Sequence, residues 1–213
     1  MSSPRSRVEV GPTVAQHYDF FMNVILLGYY PHLIKKVVDK MDIQPELSIL
    51  DLGSGTGRND CLMARKIGPR GHIIGLDISK EMLSLSRKRC QLYSNIEFRE
   101  QRIEVPLTYQ DKFDRVFVSF VLHGFENTQK MGIISNAYNA LKPGGVLCIF
   151  DYNEFDLERL WFPIRWAFIR GECQLASEFL KLDLKKMLSS QGFTTFKEEL
   201  FLRKHLRLLK ATK

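Results

Sequence analysis

Apolar residues fall into short blocks separated by polar, helix-like stretches along most of the chain. "LSILDL" is a buried-type run ending in an acidic residue, "GHIIGLDI" repeats that form further on, and "FDRVFVSFVL" and "GVLCIFDY" follow. Runs of this length, bounded by glycine and turn residues, read as buried strands. "IEFREQ" reads as a shorter strand between the second and fourth of these, and "FTTFKEEL" and "HLRLLKA" as two closing strands. Between the strands the apolar positions take a helical period. One helix is predicted from about Arg58 to Ile67, and another over "SKEMLSLSRKRCQLY", with Ser79 as its cap and Met82, Leu83 and Leu85 on its apolar stripe. "MGIISNAYNALK" and the stretch from Glu178 to Gln191 are further helices. A first helical region from about Val14 to Met41 is broken near "GYYP" by Gly28 and Pro31. Strands alternating with helices predict an α/β fold, a mostly parallel sheet with helices on both faces.

Composition narrows the class. A chain of 213 residues with 45% hydrophobic and 26% charged residues has the length and profile of one folded domain. No apolar stretch reaches membrane-span length, and "MSSPRSRVEVGP" lacks the apolar segment of a signal peptide, which predicts a cytoplasmic protein. Cys61, Cys90, Cys148 and Cys173 are widely separated, with no C-x-x-C and no histidine at ligand spacing, so they are expected to be packing residues, with neither a disulfide nor a metal site. The net charge of +7 admits a polyanionic partner. Lys and Arg lie mostly in helical stretches such as "LIKKVVDK" and "SRKRC", without interleaved aromatics, a distribution that speaks against nucleic acid.

The chemistry begins at "DLGSGTGRND", which packs Gly53, Gly55 and Gly57 immediately behind the first strand. A strand running into a glycine-rich turn and then a helix presents unpaired N–H groups, and glycine lets a ligand lie against the chain. A P-loop needs Gly-Lys-Ser/Thr after its glycines and a dinucleotide fingerprint needs G-x-G-x-x-G; the glycine spacing here fits neither. Asp77 closes the second strand in "GLDIS", where nucleotide-binding α/β folds place an acid on the ribose hydroxyls. A nucleoside-like ligand is the expectation.

Asp51-Leu-Gly-Ser-Gly-Thr-Gly57, then Asp77, then Phe113-Asp114 and "LKPGGVLCI", in that order, resemble the class I S-adenosylmethionine-dependent methyltransferases. The resemblance implies a Rossmann-like seven-stranded sheet with an antiparallel last strand. It further implies an N-terminal helical cap over residues 1–45, a cofactor-binding core over 46–150, and a substrate-side lid with closing strands over 151–213. S-adenosyl-L-methionine is the implied cofactor. Its contacts are expected at Tyr18, Asp51, Gly53, Ser54, Gly55, Gly57, Asp77, Ile78, Met82, Gln101, Arg102 and Ser119.

Within that class the chain resembles the ubiquinone/menaquinone biosynthesis C-methyltransferases, through Tyr18, Asp19, Met22, Asn23 and the turn Lys142-Pro143-Gly144-Gly145. It departs from them at His123-Gly124, where Arg-Asn is expected, and at Glu100-Gln101-Arg102, where Gly-Asp-Ala is expected; the Gln101 amide can still meet an adenine edge. The implied substrate is an apolar small molecule, a quinone-type precursor first and a lipid headgroup second, with peripheral contact to the inner membrane face. A phenol has a pKa of about 10, so a general base would assist its methylation. His123, following the fourth strand at the ligand-binding edge, is the candidate base. "RLWFPIRWAFIRGE" suits an aromatic, arginine-rich lid. "SFVLHG" stands where base N-methyltransferases carry an Asn-Pro-Pro-Tyr-like motif, which speaks against that substrate. A protein that binds the cofactor without catalysis is the alternative of a different class.

Overall fold

The computed structural model describes residues 28–159 and 174–213, together with Asn23, Phe162 and Arg165. Its helices are α1 (Tyr30–Asp39), α2 (Arg58–Ile67), α3 (Lys80–Arg89), α4 (Asn127–Ala140), α5 (Gln174–Phe179) and α6 (Leu184–Ser190). The strands are β1 (Ser48–Leu52), β2 (His72–Asp77), β3 (Ile96–Glu100), β4 (Phe113–Ser119), β5 (Leu141–Tyr152), β6 (Phe196–Phe201) and β7 (Leu206–Thr212). They form one seven-stranded sheet in the order β3-β2-β1-β4-β5-β7-β6. The first five strands pair in parallel, and β7 inserts antiparallel between β5 and β6. The predicted Rossmann-like α/β architecture and antiparallel last strand are both observed.

Side-chain alternation along the strands separates two cores. Leu50, Ile74, Val116 and Ile149 face Ile133, Ile134 and Ala137 of α4 and Leu184 and Leu188 of α6. Ile49, Ile73, Phe117 and Phe150 face the other way, onto Leu33, Ile34 and Val37 of α1 and Met63, Ala64 and Ile67 of α2. Because both faces are covered, the strands read as near-continuous apolar runs.

The "LKPGG" turn is a bulge. Phe113 lies opposite Leu141, but Arg115 already lies opposite Val146, so the segment from Lys142 to Gly145 loops out of register. Asp114 fastens this corner: its carboxylate accepts from Ser48 N at 2.8 Å and from Lys142 Nζ at 2.8 Å. Partial burial opposes ionisation there, but the Lys142 ammonium and the Ser48 N–H outweigh it and hold the Asp114 carboxyl below the usual carboxylate range.

Two expectations are corrected. The helix predicted from Glu178 to Gln191 is two helices, because the turn after Phe179 lets the Asp183 carboxylate cap a new start by accepting from Lys186 N at 2.9 Å. Cys61 and Cys90 do not merely pack but form a disulfide across a sequence separation of 29, with Cα atoms 5.6 Å apart. The bridge exists because α2, which carries Cys61 in its first turns, and α3, which Cys90 follows as its C-cap, lie side by side; spacing along the chain carries no sign of it. Cys148 is a buried free thiol, as expected of a packing residue, and burial pushes it up to about 12. Cys173, the helix predicted before Gly28 apart from Asn23, and the residues of the aromatic lid other than Arg159, Phe162 and Arg165 lie outside the described residues.

Candidate active site

At its carboxyl edge, β1 delivers Asp51 and Leu52 into the turn Gly53 to Gly57, whose last glycine caps α2. The turn is shaped by close approach. A Cβ on Gly53 would lie 2.5 Å from Val121 Cγ2, and one on Gly57 would lie 2.9 Å from Ser86 Cα. At Gly55, with φ +52°, a Cβ would meet no described atom within 4 Å, so the middle of the turn faces open space. The outer glycines let neighbouring elements close on the turn, and the middle one leaves room for a ligand. Its neighbours hold the turn in place: Gly53 N and Ser54 N donate to Leu76 O at 2.8 and 2.9 Å, and Arg89 Nη1 donates to Thr56 O at 3.0 Å.

Asp77 joins this turn to the start of α3. Its Oδ2 accepts from Gly55 N at 2.8 Å and its Oδ1 from Ser79 N at 2.9 Å. Ser79 then caps α3 by accepting from Met82 N at 3.2 Å, as its sequence position predicts. Burial raises the Asp77 carboxyl above its ordinary range, against the pull of the N–H groups of Ser79, Gly55 and Ile78.

Behind the turn, Asp51 of β1 and Asp60 of α2 are both fully buried. Each carboxyl has the other as its side-chain hydrogen-bond partner, and Ser54 Oγ lacks a partner among the described residues. Burial, and then the negative fields of Asp60 and Asp77, push the Asp51 carboxyl well above its usual range; burial pushes Asp60 to about 7. Asp60 was not singled out by sequence reasoning, since an acid in the first turn of a helix ordinarily serves the helix dipole.

This recess fits S-adenosylmethionine, which carries an ammonium and a sulfonium. Three acids, the unpartnered Ser54 hydroxyl and an open glycine turn suit a cationic nucleoside. The residues that would hold it are the Gly53 to Gly57 turn and Asp51 on the methionine side and Asp77 on the ribose side. Bound there, it supplies an electrophilic methyl group.

The remaining predicted contacts are distributed unevenly. Gln101 N donates to Asp77 O at 2.9 Å, which sets Gln101 directly beside Asp77. Met82 is buried, and Ile78 and Ser119 are half-buried, at the carboxyl edges of β2 and β4. Arg102 is exposed, and its guanidinium pairs with Glu104 at 2.5 Å. Tyr18 lies outside the described residues, as do Asp19 and Met22.

His123 occupies a short 3-10 turn (Leu122–Gly124) directly after β4. The chain enters that turn through Phe120, whose φ of +53° is uncommon for a bulky residue. Phe120 is pinned by its N–H to Phe150 O at 2.8 Å and by edge contacts with the rings of Phe150 and Tyr152. The reversal brings Val121 against Gly53 and aims the His123 ring at β5. There His123 Nδ1 lies 2.8 Å from Asp151 Oδ1, and the ring meets Tyr152 edge-on at 5.1 Å between centroids. Beyond the turn, Lys130, fully buried on α4, donates to Phe125 O and lies 5.6 Å from the Phe179 ring. Asp151 and Lys130 were not anticipated. Both sit inside patterns that read as plain strand and plain helix.

Comparison with known proteins agrees with this geometry. The family model described as methyltransferase domain matches residues 43–192. The ubiquinone/menaquinone biosynthesis C-methyltransferase UbiE of Wigglesworthia glossinidia brevipalpis is 32% identical over 145 residues, 66% of this chain and 57% of that protein. The demethylmenaquinone methyltransferase of Listeria welshimeri is 30% identical over 176 residues, 81% of this chain and 73% of that protein. The chain thus spans just over half the length of some curated relatives it matches. Among solved structures, a SAM-dependent methyltransferase from Aquifex aeolicus superposes with a TM-score of 0.69 at 16% identity, covering 96% of this chain and 99% of the other, a likeness of fold. Its fold is that of the class I S-adenosylmethionine-dependent methyltransferases. In particular, it belongs to the methyltransferase domain family that its residues 43–192 match.

Proposed function

We propose that this protein transfers a methyl group from S-adenosylmethionine to an apolar small molecule bearing an acidic hydroxyl, a quinone-type precursor methylated on carbon. The observation that carries this reading is one sheet edge holding both the cationic-nucleoside recess, with Asp77 and the glycine turn, and His123 on the adjoining loop. Methyl transfer from a sulfonium needs alignment and exclusion of water more than a protein nucleophile. This edge supplies the alignment: the turn fixes the cofactor, and Val121, packed on Gly53, fixes the distance from the turn to His123. The His123 imidazole would take the proton from the acceptor hydroxyl, raising the electron density of the ring to be methylated. The relatives named for menaquinone and ubiquinone biosynthesis support the quinone class, whereas His123 in place of their Arg-Asn pair separates this chain from them. The test is incubation of the protein with methyl-labelled S-adenosylmethionine and reduced naphthoquinones or hydroquinones. Labelled product with release of S-adenosylhomocysteine is expected. Cofactor binding with no transfer to any such acceptor, while a lipid headgroup or another acceptor is methylated, would overturn the quinone assignment.

A further inference from the structure

The proposed methyl transfer needs a base, and the histidine that serves it is not alone. Asp151, the penultimate residue of β5, is 2% exposed, and its carboxylate accepts three N–H groups. These are His123 Nδ1 at 2.8 Å, His123 N at 3.3 Å and Tyr152 N at 2.8 Å. A buried carboxylate is costly unless donors surround it. Two of these three donors belong to a single residue, so the arrangement holds His123 by its backbone and its ring at once. On the neighbouring strand, Arg207 lies opposite Asp151 and is itself buried, engaged by Glu154 at 3.1 Å and Glu198 at 3.2 Å. Among the described residues, the charged and titratable groups near the imidazole include Asp151 and Tyr152 of β5, with Arg207 of β7 and its two glutamates behind them, and Lys130 of α4 at the far end of the turn.

We propose that Asp151 is a positioning residue that presents His123 as a proton acceptor through Nε2, and that acceptors of this protein therefore carry a hydroxyl whose proton the imidazole takes. A carboxylate can only accept, so Nδ1 must donate to it, and in the neutral ring the basic lone pair then resides on Nε2. When the acceptor is deprotonated, its O–H bond breaks, the electron pair stays on oxygen and the proton ends on Nε2. The resulting imidazolium is stabilised by Asp151, the role a buried carboxylate plays behind a catalytic histidine elsewhere. Tyr152 packs edge-on against the imidazole, with ring centroids 5.1 Å apart. This inference rests on the proposed reaction only for the identity of the acceptor; the dyad itself is a property of the protein alone.

The test uses the full chain labelled with 15N-histidine and the variants Asp151→Asn and Asp151→Ala, with His123→Ala to assign the resonance. Long-range 15N–1H correlation spectra of wild type are expected to show His123, in its neutral form, protonated on Nδ1. Both Asp151 variants are expected to lower the His123 pKa by about one unit or more, as loss of a negative neighbour requires. Kinetics with hydroquinone acceptors are expected to show kcat lowered at least tenfold in Asp151→Asn at neutral pH, with S-adenosylmethionine affinity within twofold of wild type. The rising limb of the pH–rate profile moves to lower pH, which a structural defect alone would not produce. A neutral wild-type ring protonated on Nε2, or an unmoved His123 pKa in Asp151→Asn, would overturn the dyad. Equal turnover of hydroquinones and of their O-blocked ethers would overturn the hydroxyl requirement. If the spectra show the dyad and no hydroquinone is methylated, the dyad stands and the quinone reading falls.

Discussion

Asp77 does two tasks at the residue scale. In the protein alone it accepts from Gly55 and Ser79, and we propose that with cofactor bound it also accepts from the ribose hydroxyls. Asp77→Ala is expected to weaken S-adenosylmethionine binding at least tenfold, about 1.4 kcal/mol, while far-ultraviolet dichroism stays that of wild type. Unchanged affinity by calorimetry would remove Asp77 from the site. Gly57 tests the turn itself. It has φ +72°, and an added Cβ would press on the Ser86 backbone, so Gly57→Ala is expected to lower the unfolding free energy by about 2 kcal/mol in urea titration. The half of the site built on this turn was readable because strand, glycines, helix and the Asp77 strand end follow one another locally. Asp151 and Asp60 were not readable in the same way. Asp151 closes an apolar strand in "GVLCIFDY" and meets His123 only through the pairing of β4 with β5. Asp60 gains its meaning from Asp51 across the β1–α2 packing.

The same distinction holds for whole elements. The strands were legible as apolar runs, and α2 and α3 from their caps and stripes, because each is specified by its own residues. The division of the Glu178 to Gln191 segment depends on Asp183 outcompeting a continuous helix, and the Cys61–Cys90 bridge depends on two helices lying side by side. That bridge ties the helix after the glycine turn to the helix after Asp77, and Cys90 Sγ also lies 3.2 Å from Gly57 O. Restricting the unfolded chain by a loop of this length is worth about 3.5 kcal/mol in the entropy model. The Cys61→Ala/Cys90→Ala double variant is expected to lose on that order in unfolding free energy by guanidinium titration. A loss below about 0.5 kcal/mol would mean the bridge contributes nothing to the fold.

For the whole molecule, the buried acids make stability depend on pH in an unusual direction. The Asp51 and Asp60 carboxyls are raised in the folded protein, so over the range between the ordinary carboxylate value and about 7 the folded state holds more protons than the unfolded chain. Their contribution is complete below the unfolded value and is lost as pH rises through the folded one. Thermal unfolding of the ligand-free protein is therefore expected to show stability declining from about pH 4 to pH 7 through this pair, and Asp60→Asn is expected to flatten that decline. A slope of the opposite sign that Asp60→Asn leaves unchanged would contradict it.

The glycine turn, Asp77 and the acid pair converge on one claim, that this recess holds a cationic nucleoside, and its most direct test is calorimetric titration of S-adenosylmethionine and S-adenosylhomocysteine into wild type and Asp77→Ala. Saturable one-to-one binding in the micromolar range, lost or weakened at least tenfold in the variant, is the predicted result. No binding by wild type, or equal binding by both proteins, would contradict the site described.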